Sequence, residues 1–141
     1  MKKFNLKVIT PKRKIIDEMA DSITLPSKSG EITILARHVP LFSLLVDGII
    51  KIKNDGEERY FAIGGGYVET DGKSLTVLVS RAHGQDELDE KAIIEAKNKA
   101  EKDVLELKDT IERTEAMEIL RRSTIDLKLL TKVKRRPQIR N

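Results

Sequence analysis

The sequence predicts a β-then-α chain: an antiparallel β-sandwich or barrel, followed by an antiparallel two-helix hairpin. Three observations predict it. All eight glycines lie between Gly30 and Gly84, whereas from there to Pro137 there is neither glycine nor proline. Every Phe and Tyr lies at or before Tyr67. Apolar residues recur at every second position before Gly84 and at every third or fourth position after it, the periods of strands and helices respectively. Gly and Pro break helices and build turns, so the Gly84 boundary marks a change of architecture.

In the first half, Phe4, Leu6 and Val8 alternate with polar residues, as do Phe61 and Ile63, and Leu75, Val77 and Val79. Each run reads as a half-buried strand. Thr10-Pro11, Ser29-Gly30, Asp47-Gly48, Asn54-Asp55-Gly56 and Asp71-Gly72 separate the runs as turns. Asp-Gly suits tight hairpins because glycine accepts positive φ at little cost. Many short strands with frequent turns argue for a sandwich or a barrel.

In the second half, Leu88, Ala92, Ala96, Ala100, Val104, Leu107 and Ile111 mark one helix face. Asp86 is the expected cap, with Glu87 and Asp89 favouring the positive end of the helix dipole. Ala116, Leu120, Ser123, Leu127 and Leu130 repeat in steps of four and three, like a coiled-coil seam. Asp109-Thr110-Ile111-Glu112 resembles a capping box and marks the corner. A short corner makes the helices antiparallel. Two such helices have no deep core of their own, so packing must supply most of their stability. The expected organisation is a head at 1–84, a helical hairpin at 85–134 and a basic flexible tail at 135–141.

Composition narrows the function. Of 141 residues, 39% are hydrophobic and 35% charged, enough apolar material for a core and too much for a disordered chain. There is no cysteine, which removes disulfides and thiolate metal sites. The basic start, Met1 to Lys7, has no apolar run behind it and reads as no leader. The longest apolar stretch, Leu41 to Val46, is far too short to span a bilayer. Net charge is +4, with the excess in Lys132, Lys134, Arg135, Arg136 and Arg140. A nucleic-acid surface is a poor reading, because aromatic platforms for single strands are lacking.

Catalytic constellations are missing. His38 and His83 are far apart and have no cysteine company, which argues against a metal site. No Gly-Lys-Ser/Thr follows a glycine loop. Gly64-Gly65-Gly66 lies between two strand-like runs with no helix after it, so it reads as a bulge or close backbone approach, not a phosphate loop. Asp86, Glu87, Asp89 and Glu90 read as helix capping.

The order of motifs carries a resemblance. Ser29-Gly30-Glu31-Ile32-Thr33-Ile34-Leu35 followed by His38-Val39-Pro40-Leu41 resembles the Gly-Glu-x-Gly-Ile-Leu-Pro-Gly-His-x-Pro-Leu signature of F-type ATP synthase epsilon subunits. Gly65-Gly66-Tyr67-Val68-Glu69 is similar to that family's Gly-Gly-Phe-x-Glu-Val strand. Leu75 to Val79 with Ala82 is similar to the strand closing the head, and Leu88-Asp89 opens an Ala- and Lys-rich helix pair. The match runs from residue 4 to about 133, in order.

The resemblance implies a ten-stranded sandwich head and a non-catalytic rotor subunit on the cytoplasmic face of the bacterial cell membrane. It meets the membrane only through the complex. It implies that the head binds the gamma subunit and the c-ring. It also implies that the hairpin extends along gamma toward the catalytic beta subunits (with alpha) to inhibit ATP hydrolysis. By position, Glu31 and His38 fall in the loop region facing the c-ring, and Arg121, Arg122, Lys132 and Lys134 face the beta subunit. For each, an ordinary solvated residue is the alternative reading. Family members that bind ATP do so through Ile/Leu-Asp-x-x-Arg-Ala. Here Leu88 and Asp89 match, Ala92 replaces the arginine, Lys99 and Arg122 could serve a phosphate, and Asp126 replaces a further arginine. No cofactor is therefore expected, and weak or absent ATP binding. Two turn formers of the signature, Pro and Gly, are here Ala36 and Arg37. The alternative function is an adaptor with a coiled-coil arm in an unrelated assembly.

Overall fold

The computed structural model describes residues 2–135, with side chains described through Lys132. The chain divides into two compact units that meet between Gly84 and Gln85. The first contains ten strands: β1 (Phe4–Ile9), β2 (Lys14–Ala20), β3 (Ser22–Ser27), β4 (Gly30–Leu35), β5 (Leu41–Leu45), β6 (Gly48–Asn54), β7 (Glu57–Ile63), β8 (Gly66–Thr70), β9 (Ser74–Val79) and β10 (Ala82–Gly84). The second contains a 3₁₀ turn (Gln85–Glu87) and helices α1 (Glu90–Glu106) and α2 (Thr110–Arg135).

The strands form one continuous path, β10-β7-β6-β3-β5-β8-β9-β1-β2, with β4 added to β3. β3 and β5 share only the pair Ser27–Leu45. The path therefore folds there into two leaves, the sandwich the alternation predicts. Alternate residues of both leaves supply one core, including Phe4, Leu6, Ile23, Leu25, Ile50, Ile63, Val68 and Leu75. Pairing is antiparallel except between β1 and β9, which run parallel, with Leu6 opposite Leu75 and Val8 opposite Val77.

The turns behave as their residues dictate. Asp55 (φ 53°) and Gly56 (φ 82°) both adopt positive φ between paired Asn54 and Glu57, the two-residue hairpin whose twist matches flanking strands. Gly66 serves close approach: a Cβ there would overlap the Leu78 carbonyl oxygen and lie 2.7 Å from Val79 Cα. The glycine run is thus a site of backbone crowding, and Gly65 N–H is held by Asp47 Oδ1 at 2.8 Å.

A charged clasp ties the start of β1 to the β6–β7 turn. Lys3 Nζ lies 3.2 Å from Asp21 Oδ1 and 2.8 Å from Asp55 Oδ1, and also donates to Asn54. Asp55 N–H donates to Asp21 Oδ2 at 2.8 Å. That hydrogen bond, then Lys3, holds the Asp21 carboxyl below its usual range. The bond to Asp55 raises the Lys3 ammonium, against partial desolvation. Arg59 pairs with Glu18 at 2.6 Å and lies over the Phe61 ring at 5.3 Å, linking β7 to β2.

In the second unit, α1 and α2 pack against each other, and the corner lies where the capping box places it. Asp109 Oδ1 accepts from Ile111 N–H at 2.8 Å and Glu112 N–H at 3.1 Å. Along α2, the hydroxyls of Thr114, Thr124 and Thr131 each donate to the carbonyl four residues earlier, which satisfies them at a small cost to the helix. Two expectations shift. The cap of α1 is Asp89, which accepts from Ala92 N–H at 3.2 Å, whereas Asp86 sits in the preceding 3₁₀ turn. The sheltered face of α1 carries Ile93, Lys97, Ala100 and Val104, while Ala92 and Ala96 are exposed. The expected and sheltered faces therefore part in the first two turns and coincide from Ala100 to Leu107.

Candidate functional site

Three surfaces bear on function. The first comes from strand register on the head. β5 carries apolar residues at both parities: Leu45 is buried, while Phe42 and Leu44 point outward, 60% and 52% exposed. Leu44 stands opposite Tyr67, Tyr67 opposite Leu78, and Leu78 opposite Ile9. The outcome is an apolar row across β5, β8, β9 and β1. Phe42 and Tyr67 bring their ring centroids to 5.1 Å. An outward strand face is ordinarily polar, and a contiguous apolar row on it marks an interaction surface. By length, the Leu41–Val46 stretch says only that it is too short to span a bilayer. Its apolar residues at successive positions were the available signal, but the row needs cross-strand register to be seen.

The second surface surrounds β4. Glu31 is not in a loop: it is the second residue of β4, opposite Pro26, and exposed. His38 lies beyond the other end of that strand, its Nδ1 hydrogen donated to Val39 O at 2.7 Å. Glu31 near the start of β4 and His38 beyond its end are separated by the strand, and the fold does not bring them together. Between them, Leu35 to His38 form a turn closed by His38 N–H to Leu35 O at 3.2 Å. Arg37 takes φ 66° there, the left-handed conformation glycine adopts freely. Arg37 N–H also donates to Gly72 O at 2.9 Å, which holds the conformation. With Ala36 and Arg37 where the signature has Pro and Gly, the chain still turns here. The neighbouring β8–β9 turn is hydrogen-bonded by its own side chain. Asp71 Oδ1 accepts from Ser74 N–H and Lys73 N–H, both at 2.9 Å, and these bonds, Ser74 first, keep its carboxyl below the usual range.

The third surface is the hairpin. Arg121, Arg122 and Lys132 are exposed on α2. Arg121 and Lys132 share a face, about 16 Å apart along the axis. Lys134 lies on α2 with its side chain outside the described set, and residues 136–141 of the basic tail lie outside the described residues. Of the nucleotide set, Asp89 is engaged as the α1 cap, and Leu88 N–H closes the 3₁₀ turn onto Gln85 O at 3.2 Å. Lys99 and Arg122 are exposed on separate helices, and Asp126, one turn after Arg122, is buried. Among the described residues, no hydrogen bond or ion pair joins Leu88, Asp89, Lys99 and Arg122 to one another. Nor do the described residues contain a group of three His, Cys, Asp or Glu side chains fit to hold a metal. No helix among them is long and apolar enough to cross a membrane.

Comparison with known proteins agrees with this architecture. The family described as "ATP synthase, Delta/Epsilon chain, beta-sandwich domain" matches residues 3–85. The chain is 34% identical over 129 residues to the ATP synthase epsilon chain of Symbiobacterium thermophilum, covering 91% of this chain and 93% of that one. It is 33% identical over 130 residues to that of Syntrophobacter fumaroxidans, covering 92% and 97%. A chain in the Euglena gracilis mitochondrial ATP synthase structure shares the fold at TM-score 0.71 and 20% identity, over 94% of this chain and 79% of that one. One in the Tetrahymena thermophila central stalk and c-ring structure does so at TM-score 0.57 and 19% identity, over 94% and 96%.

Proposed function

The chain belongs to the ATP synthase epsilon family, and from that premise we propose that it is a non-catalytic central-stalk subunit of an F-type ATP synthase. In this reading the head binds the gamma subunit and the c-ring, so that ion-driven rotation of the ring reaches the catalytic subunits through gamma. The subunit works at the cytoplasmic face of a bacterial membrane, held there by the complex.

The observation that carries the reading is the row Leu44–Tyr67–Leu78 with Phe42 beside it. Partly exposed apolar and aromatic side chains on a rigid sheet are the anchors from which protein interfaces draw most of their affinity. Gamma is assigned to this row. Glu31 and the turn at His38 are assigned to the c-ring, in contacts strung along β4. The test is titration of purified gamma with the intact chain and with Leu44→Asp. We expect affinity to fall by roughly a hundredfold, since a buried unpaired carboxylate costs about 3 kcal/mol. Unchanged affinity with a folded head would remove gamma from this surface.

The hairpin is assigned an inhibitory role. Arg121, Arg122, Lys132 and Lys134 present positive charge toward acidic groups of the catalytic beta subunits when the helices extend. Removal of residues 86–141 from the assembled enzyme should raise ATP hydrolysis; an unchanged rate would end the assignment. Nucleotide does not govern this step. Asp89 already caps a helix, Ala92 has no cation to offer, and the Asp126 carboxylate repels phosphate. Calorimetry with ATP should show no micromolar binding.

A further inference from the structure

The head contains three Asp-Gly steps: Asp47-Gly48, Asp55-Gly56 and Asp71-Gly72. Each carries the same latent reaction. The backbone nitrogen after an aspartate can attack that aspartate's side-chain carbonyl carbon, and glycine, with no Cβ, obstructs the attack least. In an unfolded chain the three steps are chemically alike. The fold makes them different.

Two of them are locked. Asp47 Oδ1 accepts from Gly65 N–H at 2.8 Å, and a Cβ at Gly48 would lie 2.9 Å from Pro26 Cγ. Asp71 Oδ1 accepts from Lys73 N–H and Ser74 N–H, both at 2.9 Å. The attacking group of that step is engaged too: Gly72 N–H donates to Thr70 Oγ1 at 3.0 Å. A Cβ at Gly72 would lie 2.9 Å from His38 O, so the backbone there is crowded as well.

Asp55-Gly56 is open. The Asp55 side chain is 78% exposed. Gly56 N–H makes no hydrogen bond among the described residues, and nothing stands within 4 Å of where its Cβ would be. Two ties hold this tip of the β6–β7 hairpin. The Asp55 carboxylate meets Lys3 Nζ at 2.8 Å, and Asp55 N–H meets Asp21 Oδ2 at 2.8 Å. The turn must open before Gly56 N reaches Asp55 Cγ, and an exposed ion pair resists that opening only weakly.

We propose that Asp55-Gly56 is the site at which this chain isomerises to isoaspartate, and that Lys3 guards it by holding the carboxyl in its ion pair. Gly56 N forms a bond to Asp55 Cγ. Its hydrogen and one carboxyl oxygen, with a proton taken from solvent, leave as water, and a succinimide ring closes. Water then opens the ring at either carbonyl and returns the proton. Opening at the main-chain carbonyl routes the backbone through Cβ and Cγ and leaves the α-carboxylate as the side group. The product has the same mass and one more atom in the main chain. That atom falls between paired Asn54 and Glu57, so the tight turn is lengthened and the clasp from Lys3 to the tip is released. The inference does not rest on the rotor reading.

The test is prolonged incubation of the intact chain at neutral pH, followed by peptide mapping with electron-transfer fragmentation, which tells isoaspartate from aspartate. Isoaspartate should form at Asp55 roughly tenfold faster than at Asp47 or Asp71, where hydrogen bonds must break first. The same map in urea is the internal standard: unfolded, the three steps should react at comparable rates. Lys3→Met should speed the reaction at Asp55 about threefold, the worth of an exposed ion pair, and leave Asp47 and Asp71 unchanged. Equal rates at the three steps of the native chain overturn the proposal, as does a native chain that reacts first at Asp47 or Asp71. So does a native chain without isoaspartate at Asp55 once the urea sample has formed it at all three. A folded Lys3→Met chain no faster than the parent overturns the guarding role. The comparison among the three steps needs no variant, so it stands even if Lys3→Met unfolds.

Discussion

The head and the hairpin bury very different interiors. In the head, every strand contributes to one core, and eighteen hydrophobic residues are buried together. Their partners are remote in sequence: Leu6 meets Leu75, and Phe4 lies opposite Ala20. Among the described residues of the hairpin, those buried are Ala100, Ala116, Ser123, Asp126 and Leu129, mostly small or polar. Its helix starts are set by local devices, the Asp89 and Asp109 caps, and its two helices rely on packing against each other. A unit held by remote burial fails as a whole when one position is crowded. A unit with a thin core of small side chains loses stability in smaller steps.

The sharpest way to break this comparison is Gly66→Ala. A methyl there must displace the backbone of β9, so head stability should fall by about 3 kcal/mol, read as the denaturant midpoint. A loss under about 1 kcal/mol would mean the sheets yield locally, and the contrast would fail. Asp109→Ala should cost about 1 kcal/mol, the value of a helix cap, and lower helical signal while head tryptic resistance stays unchanged. An equal loss in both units would show them to be one cooperative body. Arg37→Gly should act in the other direction, raising the head midpoint by about 1 kcal/mol as left-handed strain is released. A decrease would show that the Arg37 side chain stabilises the head more than its backbone strains it.

The smallest effect is with pH. Asp21 and Asp71 have folded pKa values below the ordinary 3.8. Their contribution is present above that value and is lost as pH falls through the lower folded value. Lys3 is raised above 10.5, so its contribution is present below that value and is lost as pH rises through the folded one. The head midpoint should therefore decline at both extremes. Asp71→Asn should shallow the acid decline and leave the alkaline one; the reverse pattern would reassign the groups.

Much of the fold was legible before any coordinates. The alternation of Phe4, Leu6 and Val8, the Asp55-Gly56 turn and the Asp109 corner each lie within a few residues of their cause. The helix start was misplaced because Asp86 and Asp89 are both adequate caps in sequence. Only the intervening 3₁₀ turn chooses Asp89. Of the candidate site residues, Arg121, Arg122 and Lys132 lie exposed on α2. Glu31 proves to be a strand residue because β4 begins at Gly30, before the acidic side chain.

By itself, then, the sequence determined the period of each half, the turns, and the Gly84 boundary, because those follow from short-range sterics and hydrogen bonding. It also carried the family signature. Tertiary structure decided the rest: the parallel β1–β9 pair, the crowding at Gly66, the apolar row on β5, β8, β9 and β1, and the open edge of β4. Each of these depends on which strand lies beside which and in what register. Side-chain periodicity reports only whether a residue faces in or out. The neighbour across the sheet is chosen by burial of the whole core.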